Sequence, residues 1–567
     1  MGNNLIKRPQ FNQLSLNFGL SLWTALIVAI ALIIATPIIF ILSSTFSGAG
    51  DIWQHLVATV LKDYLFHSLW LILGVGSGVV VIGVGTAWLV TMCAFRGSRW
   101  LEWLLLLPLA APAYLLAYAY TDMLDYFGPV QTFLRELFGW RTVRDYWFPD
   151  IRSLPGAVLM FVLVLYPYVY LLARVAFLEQ SVCTLEASRS LGSNPWRSFF
   201  AIALPLARPS IVAGLALALM ETLNDFGTVE YFGVSTFTTG IYRTWLGMGE
   251  RSAAAQLAAL LMLFILALIV CERLSRRQAR YYQLGSSSNR VPKYELGWFR
   301  GLVAGIACIL PVALGFMIPA WYLLKMTLAN WSETVDGGFW LLVRNSFILA
   351  IATALIAVLV SLLMAYGQRL QPNWTMRSAV RIAAMGYAIP GSVIAVGILI
   401  PLGNFDNSLD SFMQANFGIS TGLLLSGTVI SLIFAYLVRF LAVAFSSVES
   451  SLNKIPPNLD DAARSLGSGA TNTLVKIHAP LMSGGLLTAM MLVFVDVMKE
   501  LPATLVIRPF NFDTLAIRVY QYASDERLVE AAAPALAIVL VGIIPVIFLT
   551  WQITSQGNRE LSQKTTK

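Results

Sequence analysis

The chain has 567 residues, 57% of them apolar and only 12% charged, with a mean hydropathy of +0.72. Soluble domains carry about 25% charged residues, so a string of aqueous domains, a disordered chain and a fibrous repeat are excluded, and the apolar surplus must face lipid. Lys and Arg outnumber Asp and Glu 38 to 30, but they stand in short clusters between apolar runs, the pattern of a membrane topology signal rather than of a nucleic-acid surface.

Lys7 and Arg8 precede an apolar run over 22–42 that is too long for a signal-peptide core and reads as a retained first span. At about 20 apolar residues per crossing, the chain offers twelve spans: 22–42, 68–93, 102–124, 157–180, 210–232, 253–271, 302–325, 345–367, 381–403, 421–446, 484–506 and 530–551. With the N-terminus in the cytoplasm, the segments on that side hold about twice as many Lys and Arg as those outside, which predicts a multi-pass inner-membrane protein with both termini cytoplasmic. Cys93, Cys183, Cys271 and Cys308 form no C-x-x-C pair and read as small core hydrophobes. His55, His67 and His478 are scattered, so no metal-ligand cluster is readable.

The chain repeats itself. His67-Ser68-Leu69 matches Asn345-Ser346-Phe347, and Pro112 matches Pro390, at an offset of 278; Glu186, Gly192, Ile202 and Pro205 match Asp461, Gly467, Ile477 and Pro480 at 275. Phe237-Thr238-Thr239 is aligned with Phe512-Asp513-Thr514, also at 275. The expected fold is all-α: a polytopic membrane protein of about twelve helices in two six-helix halves, 1–280 and 301–567, joined by a basic cytoplasmic linker over 281–300. Repeats with six spans each lie the same way up, which implies a pseudo-twofold axis along the membrane normal and a pathway between the halves.

Between the fourth and fifth spans of each half lies a patterned loop. The first reads Glu186-Ala187-Ser188-Arg189-Ser190-Leu191-Gly192, then Ile202-Ala203-Leu204-Pro205; the second reads Asp461-Ala462-Ala463-Arg464-Ser465-Leu466-Gly467, then Ile477-His478-Ala479-Pro480. Each predicts a short helix, a glycine with φ > 0 to end it, and a second short helix ended before a proline. Asn194 and Pro195 supply an N-cap and an N1 proline in the first copy, and Asn458 a capping residue in the second. Two short helices folded back on each other make a knob on which something docks. The pattern resembles the EAA loop of permease subunits of ATP-binding-cassette importers, over both halves almost end to end. That resemblance implies the type I importer permease fold and assigns Glu186, Ala187, Gly192, Ile202, Pro205, Asp461, Ala462, Gly467, Ile477 and Pro480 to docking on an ATPase. Asp461 in place of glutamate, Ser188 in place of alanine and Ala479 in place of leucine depart from the family's pattern.

No lysine follows a glycine anywhere in the chain, so a phosphate-cradling Walker A loop is missing. The chain is therefore expected to be a transport subunit without enzymatic activity or a cofactor of its own, ATP and magnesium being held by a separate cytoplasmic ATPase in two copies. An external, periplasmic solute-binding protein is implied by the resemblance, and neither is nucleic acid expected as a partner. Gly418-Ile419-Ser420-Thr421-Gly422 fits the nucleophile pattern G-x-S-x-G, but it precedes a span with no histidine at hand, and reads as a loop.

The fifth and eleventh spans carry Glu221 with Asp225 and Asp496 with Glu500, each pair four residues apart and so expected on one helix face. Ionisable groups at membrane depth mark functional sites by default, and four carboxylates around an axis would attract a hard cation. The competing reading is structural, with Lys499 as ion-pair partner of Asp496 or Glu500; whether any of them ligates a metal is left open. The runs over 225–233, 237–245 and 499–504 resemble fused permeases of ferric iron importers. Thiamine and aminophosphonate permeases are the alternatives of the same class, and an ion-coupled secondary transporter, which needs no paired docking loops, is the alternative from another.

Overall fold

The computed structural model describes residues 22–44, 50–179, 194–277 and 293–565. Among them, ten helices are long and apolar enough to cross a bilayer, or twelve if two sharply bent pairs count as one span each. In chain order the spans are α1 (Leu22–Ser44), α2 (Leu61–Met92), α3 (Ala113–Leu124), α4 (Leu154–Glu179), α5 (Leu204–Asn224), α6 (Arg251–Arg277), α7 (Trp298–Ala329), α8 (Gly337–Leu370), α9 (Gly391–Phe417), α10 (Val429–Asn453), α11 (Ser483–Met498) and α12 (Leu528–Thr565). Leu32, Leu73, Val81, Leu359 and Ile547 are each more than half exposed on these helices, as side chains that face lipid must be.

Each half is built on three helices packed together, α2, α4 and α5 in the first and α8, α10 and α11 in the second. In the first, glycines set the spacing: a Cβ at Gly78 would stand 2.4 Å from Val162, and one at Gly83 2.9 Å from the Tyr166 carbonyl. Small residues at such a contact let helices approach closely in lipid. The outer helices cross over. α1 packs on α9 and on the helix Trp374–Ala383, and α7 packs on α3, α4 and α12.

The repeat extends to single hydrogen bonds. His67 Nδ1 contacts the Ser235 carbonyl at 3.0 Å, and Asn345 Nδ2 donates to the Asp513 carbonyl at 3.2 Å, the same contact displaced by 278 residues. This corrects the alignment at the end of the repeat. Thr236 caps the helix Phe237–Tyr242 as Thr514 caps Leu515–Ser524, so Phe237 corresponds to Leu515 and not to Phe512. The second half has three extra residues in the turn that precedes Thr514.

Four predicted spans are displaced or cut short by a break in the chain, and others are longer or shifted, as in the tenth, which runs over Val429–Asn453 rather than 421–446. The third and ninth do not start at 102 and 381: the chain breaks at Pro112 and Pro390 (φ −68° and −58°, both extended), and the crossing segments follow, to left-handed caps at Gly139 and Gly418. Ser98–Ala110 lies at 89° to Ala113–Phe138. The fifth and eleventh stop early, at Asn224 and Met498, and restart as the short helices Gly227–Tyr231 and Pro502–Ile507. At the linker, Tyr294–Glu295 pairs in parallel with Cys93–Ala94, a two-residue ladder that the all-α reading did not include. Lys293 Nζ donates to the Val90 carbonyl at 2.8 Å, so this end is fastened to the first half. Cys93 and Cys308 are buried as expected, whereas Cys271 is exposed, and Cys183 lies outside the described residues.

Candidate functional site: a knob and a chamber between the halves

The second patterned loop folds as the helix Asn458–Ser465, a turn at Gly467 and the segment Ala470–Leu481. Gly467 takes φ +77°. Its N–H bonds the Arg464 carbonyl at 3.0 Å and that of Ser468 bonds the Ala463 carbonyl at 2.9 Å, the Schellman closure that requires a left-handed residue. Ala463 turns inward while Asp461, Ala462 and Gly467 are exposed, and Leu466 stands 87% exposed at the tip. Asp461 pairs with Arg464 at 3.7 Å in solvent. Two expectations are corrected. Asn458 is the first helical residue and makes no cap; Pro457 holds the cap position without a side-chain bond. The second segment also runs through Pro480 rather than stopping before it, because a π-turn, Leu474–His478, precedes it. The widened turn absorbs the missing N–H and the ring's clash with the preceding turn. The first copy repeats this with a π-turn at Phe199–Ala203 ahead of Pro205. Ile202 and Ile477 are half-buried and Pro205 and Pro480 exposed. Asn194 Oδ1 accepts from the Arg197 N–H at 2.7 Å, as predicted. Glu186, Ala187 and Gly192 lie outside the described residues.

The knob is anchored by Asp460. Arg369, at the end of α8, donates to its Oδ2 from Nε at 2.8 Å and to the Leu452 and Ile455 carbonyls from Nη1; His478 Nε2 meets its Oδ1 at 2.7 Å. Burial alone would raise the Asp460 carboxyl, but the hydrogen bonds from His478 and Arg369 outweigh it and hold the group below its ordinary value. Tyr366, one turn earlier on α8, donates to the Ala470 carbonyl at 2.9 Å.

The four intramembrane acids line one chamber between the halves, of about 100 Å³, together with Tyr114, Tyr168, Tyr387, Asn224, Arg439 and Lys499. They do not lie on continuous helix faces as predicted. Asp225 follows the end of α5 with extended backbone (ψ 139°). Its Oδ1 accepts from the Thr228 and Val229 N–H groups at 2.8 and 3.3 Å. Glu500 does the same in the second half: Oε1 accepts from the Ala503 N–H at 3.1 Å and Oε2 from the Thr504 N–H at 3.2 Å. Each carboxylate therefore caps the short helix that restarts after the break, satisfying donors that lipid could not. Glu500 is also ion-paired with Arg439 at 2.9 Å, with both side chains buried. Lys499 pairs with Asp496 at 2.9 Å, which decides between the two partners left open. The Glu221 carboxylate makes no hydrogen bond or ion pair with another described residue, although its backbone carbonyl accepts from the Asp225 N–H at 3.1 Å. Among the described residues no three His, Cys, Asp or Glu side chains converge on a metal position.

The sequence pattern of binding-protein-dependent transport system inner membrane components matches residues 79–280 and again 357–556. The chain belongs to this family. The double match makes it a fused permease, carrying in one polypeptide two copies of the transport domain. It is 25% identical over 533 residues to the Fe(3+)-transport system permease protein FbpB 2 of Haemophilus influenzae, covering 93% of this chain and 97% of that relative. The ferric transport system permease protein FbpB of Actinobacillus pleuropneumoniae is 22% identical over 88% of this chain and 72% of its own. The molybdenum transport system permease protein ModB of Escherichia coli is 29% identical over 228 residues, 38% of this permease and 96% of its own length.

Sequence reasoning missed Arg439 in this permease, although an arginine inside a predicted span is the signal that singled out the acids. It also missed Asn224, Tyr168 and Tyr387, which carry no charge and have no such signal, and the pairing of Asp460 with Arg369, 91 residues apart. Ser420 of the G-x-S-x-G match donates to Asp410 Oδ1 at 2.9 Å, between left-handed Gly418 and Gly422, as part of a loop closure.

Proposed function

We propose that this permease is the membrane subunit of an ATP-driven importer for ferric iron. The carrying observation is the chamber between the repeats, where four carboxylates face two bases, Arg439 and Lys499. That wall is net negative and favours a hard cation over an oxyanion, in keeping with the ferric relatives rather than the molybdenum one. A periplasmic binding protein delivers the solute. Two copies of a cytoplasmic ATPase, which hold ATP and magnesium, dock on the two knobs through Asp461, Ala462 and Gly467 on one side and Glu186, Ala187 and Gly192 on the other. The termini and knobs face the cytoplasm, the face to which the charge asymmetry assigns them. Movement of the second knob reaches α8 through Arg369 and Tyr366, and the halves move about the chamber by alternating access. Glu221, Asp225, Asp496 and Glu500 line the passage. The test is uptake by proteoliposomes holding this chain and its ATPase, supplied with ferric-loaded binding protein. ATP-dependent accumulation of radiolabelled iron is expected; uptake of molybdate, thiamine or an aminophosphonate in its place would overturn the substrate.

A further inference from the structure

The wall of the chamber farthest from the knobs is closed by hydrogen bonds between the halves. α5 and α11 both start beside a knob, and their far ends are Asn224 and Met498. There, Asn224 Oδ1 accepts from the Gly391 N–H at 2.8 Å and from Arg439 Nη1 at 2.9 Å, both in the other half. A Cβ at Gly391 would stand 2.6 Å from both Arg439 Nη1 and Glu500 Oε1, so glycine alone lets this amide reach the junction. Beyond it, the Tyr242 hydroxyl donates to the Pro502 carbonyl, and the Phe226 ring packs on Tyr242 at a tilt of 31° with ring centroids 3.9 Å apart.

We propose that Asn224 is a one-sided latch that holds this wall shut until the binding protein docks. The division of charge favours that role. Arg439 and Glu500 belong to the same half and stay paired when the halves part, so opening strands no buried charge, whose cost would be severe. What separates is the neutral amide acceptor from its two donors and the neutral Tyr242 hydroxyl from the Pro502 carbonyl, and water entering the opened wall replaces these bonds. The device is not duplicated: Lys499 stands at the repeat position of Asn224 and is bound to Asp496 of its own helix, and Val164 stands at that of Arg439. Asn224 is thus a positioning residue, acting through Arg439 and Gly391 on the balance between closed and open walls. A ligand or partner shifts such a balance only by its differential affinity for the two states. Loosening the closed state therefore substitutes for part of what the binding protein does.

This inference rests on the importer reading and is tested on the permease–ATPase complex without binding protein. N224L removes the acceptor at similar volume and is expected to raise unstimulated ATP hydrolysis by roughly 5-fold or more, the lower end of a typical coupling between sites. N224D keeps both accepted hydrogen bonds and is expected to rescue the low rate. N224S, too short to span the junction, repeats the measurement with a polar residue if the leucine variant is not recovered from membranes. An unchanged rate in N224L or N224S at normal abundance, or an N224D complex as active as N224L, overturns the latch. A wild-type complex that the binding protein never stimulates would refute the importer reading instead.

Discussion

Glu221 and Glu500 line the same chamber and differ in what they hold. Glu500 is the buried partner of Arg439 and caps a helix, so Glu500→Gln leaves a buried guanidinium without its counter-charge, a loss of about 3 to 5 kcal/mol. The expected result is scarce permease in the membrane. Glu221 makes no such bonds, so Glu221→Gln should leave abundance normal while slowing ferric uptake. Immunoblotting and uptake measured together check both; normal uptake in the Glu221 variant removes it from the passage. Gly467 is a second residue-scale case. Its φ of +77° has open space around the Cβ position, so Gly467→Val costs conformation alone, about 1 to 2 kcal/mol, and Gly467→Asn far less, since asparagine tolerates this region. Uptake should fall in the valine variant and be largely kept in the asparagine one, with membrane insertion the same in both.

At the scale of elements, the knob depends on a charged clasp. Asp460 is held below its ordinary carboxylate value by His478 and Arg369. A group whose folded pKa is depressed contributes stability above its unfolded value, near 3.9, and loses that contribution as pH falls through the folded value. Amide exchange of Asn458–Ser465 in the detergent-solubilised permease should therefore show no dependence on this group between pH 8 and about 5, after correction for intrinsic rates, and faster opening only below about 4. Asp460→Asn should open at neutral pH, and protection as strong as the wild type's would remove the clasp from the account. These elements also show what was legible beforehand. The left-handed turn at Gly467 was readable because a glycine in that position has few other uses. Helix breaks inside apolar runs were not: hydropathy counts residues suited to lipid, and Asp225-Phe226-Gly227 and Lys499-Glu500-Leu501 interrupt the helix without interrupting the apolar run. The position of the acids was legible, and their capping role was not, because it depends on backbone donors that the break exposes.

On the scale of the whole molecule, the order of the helices in the chain is not the order in which they pack. α1 lies against α9 and Trp374–Ala383 of the other half, and α7 against α3, α4 and α12. Thr24 Oγ1 donates to Gln371 Oε1 at 2.7 Å across 347 residues, and Tyr120 to the Leu314 carbonyl at 2.6 Å across 194. The halves are therefore repeats in sequence but share their outer walls in space. A chain cut within 286–288 should form a working permease when the two pieces are made together, because helix packing and polar bonds among the described residues join the halves outside the cut. Neither piece should accumulate by itself. The first leaves α3 without α7 and α12, and the second leaves α9 without α1, in each case baring polar groups at membrane depth that have no water to meet them. Co-purification of the pieces, with membrane abundance of each alone, measures this. A single half that accumulates as a monodisperse protein would mean that the crossed helices are dispensable and that each repeat is a self-sufficient unit.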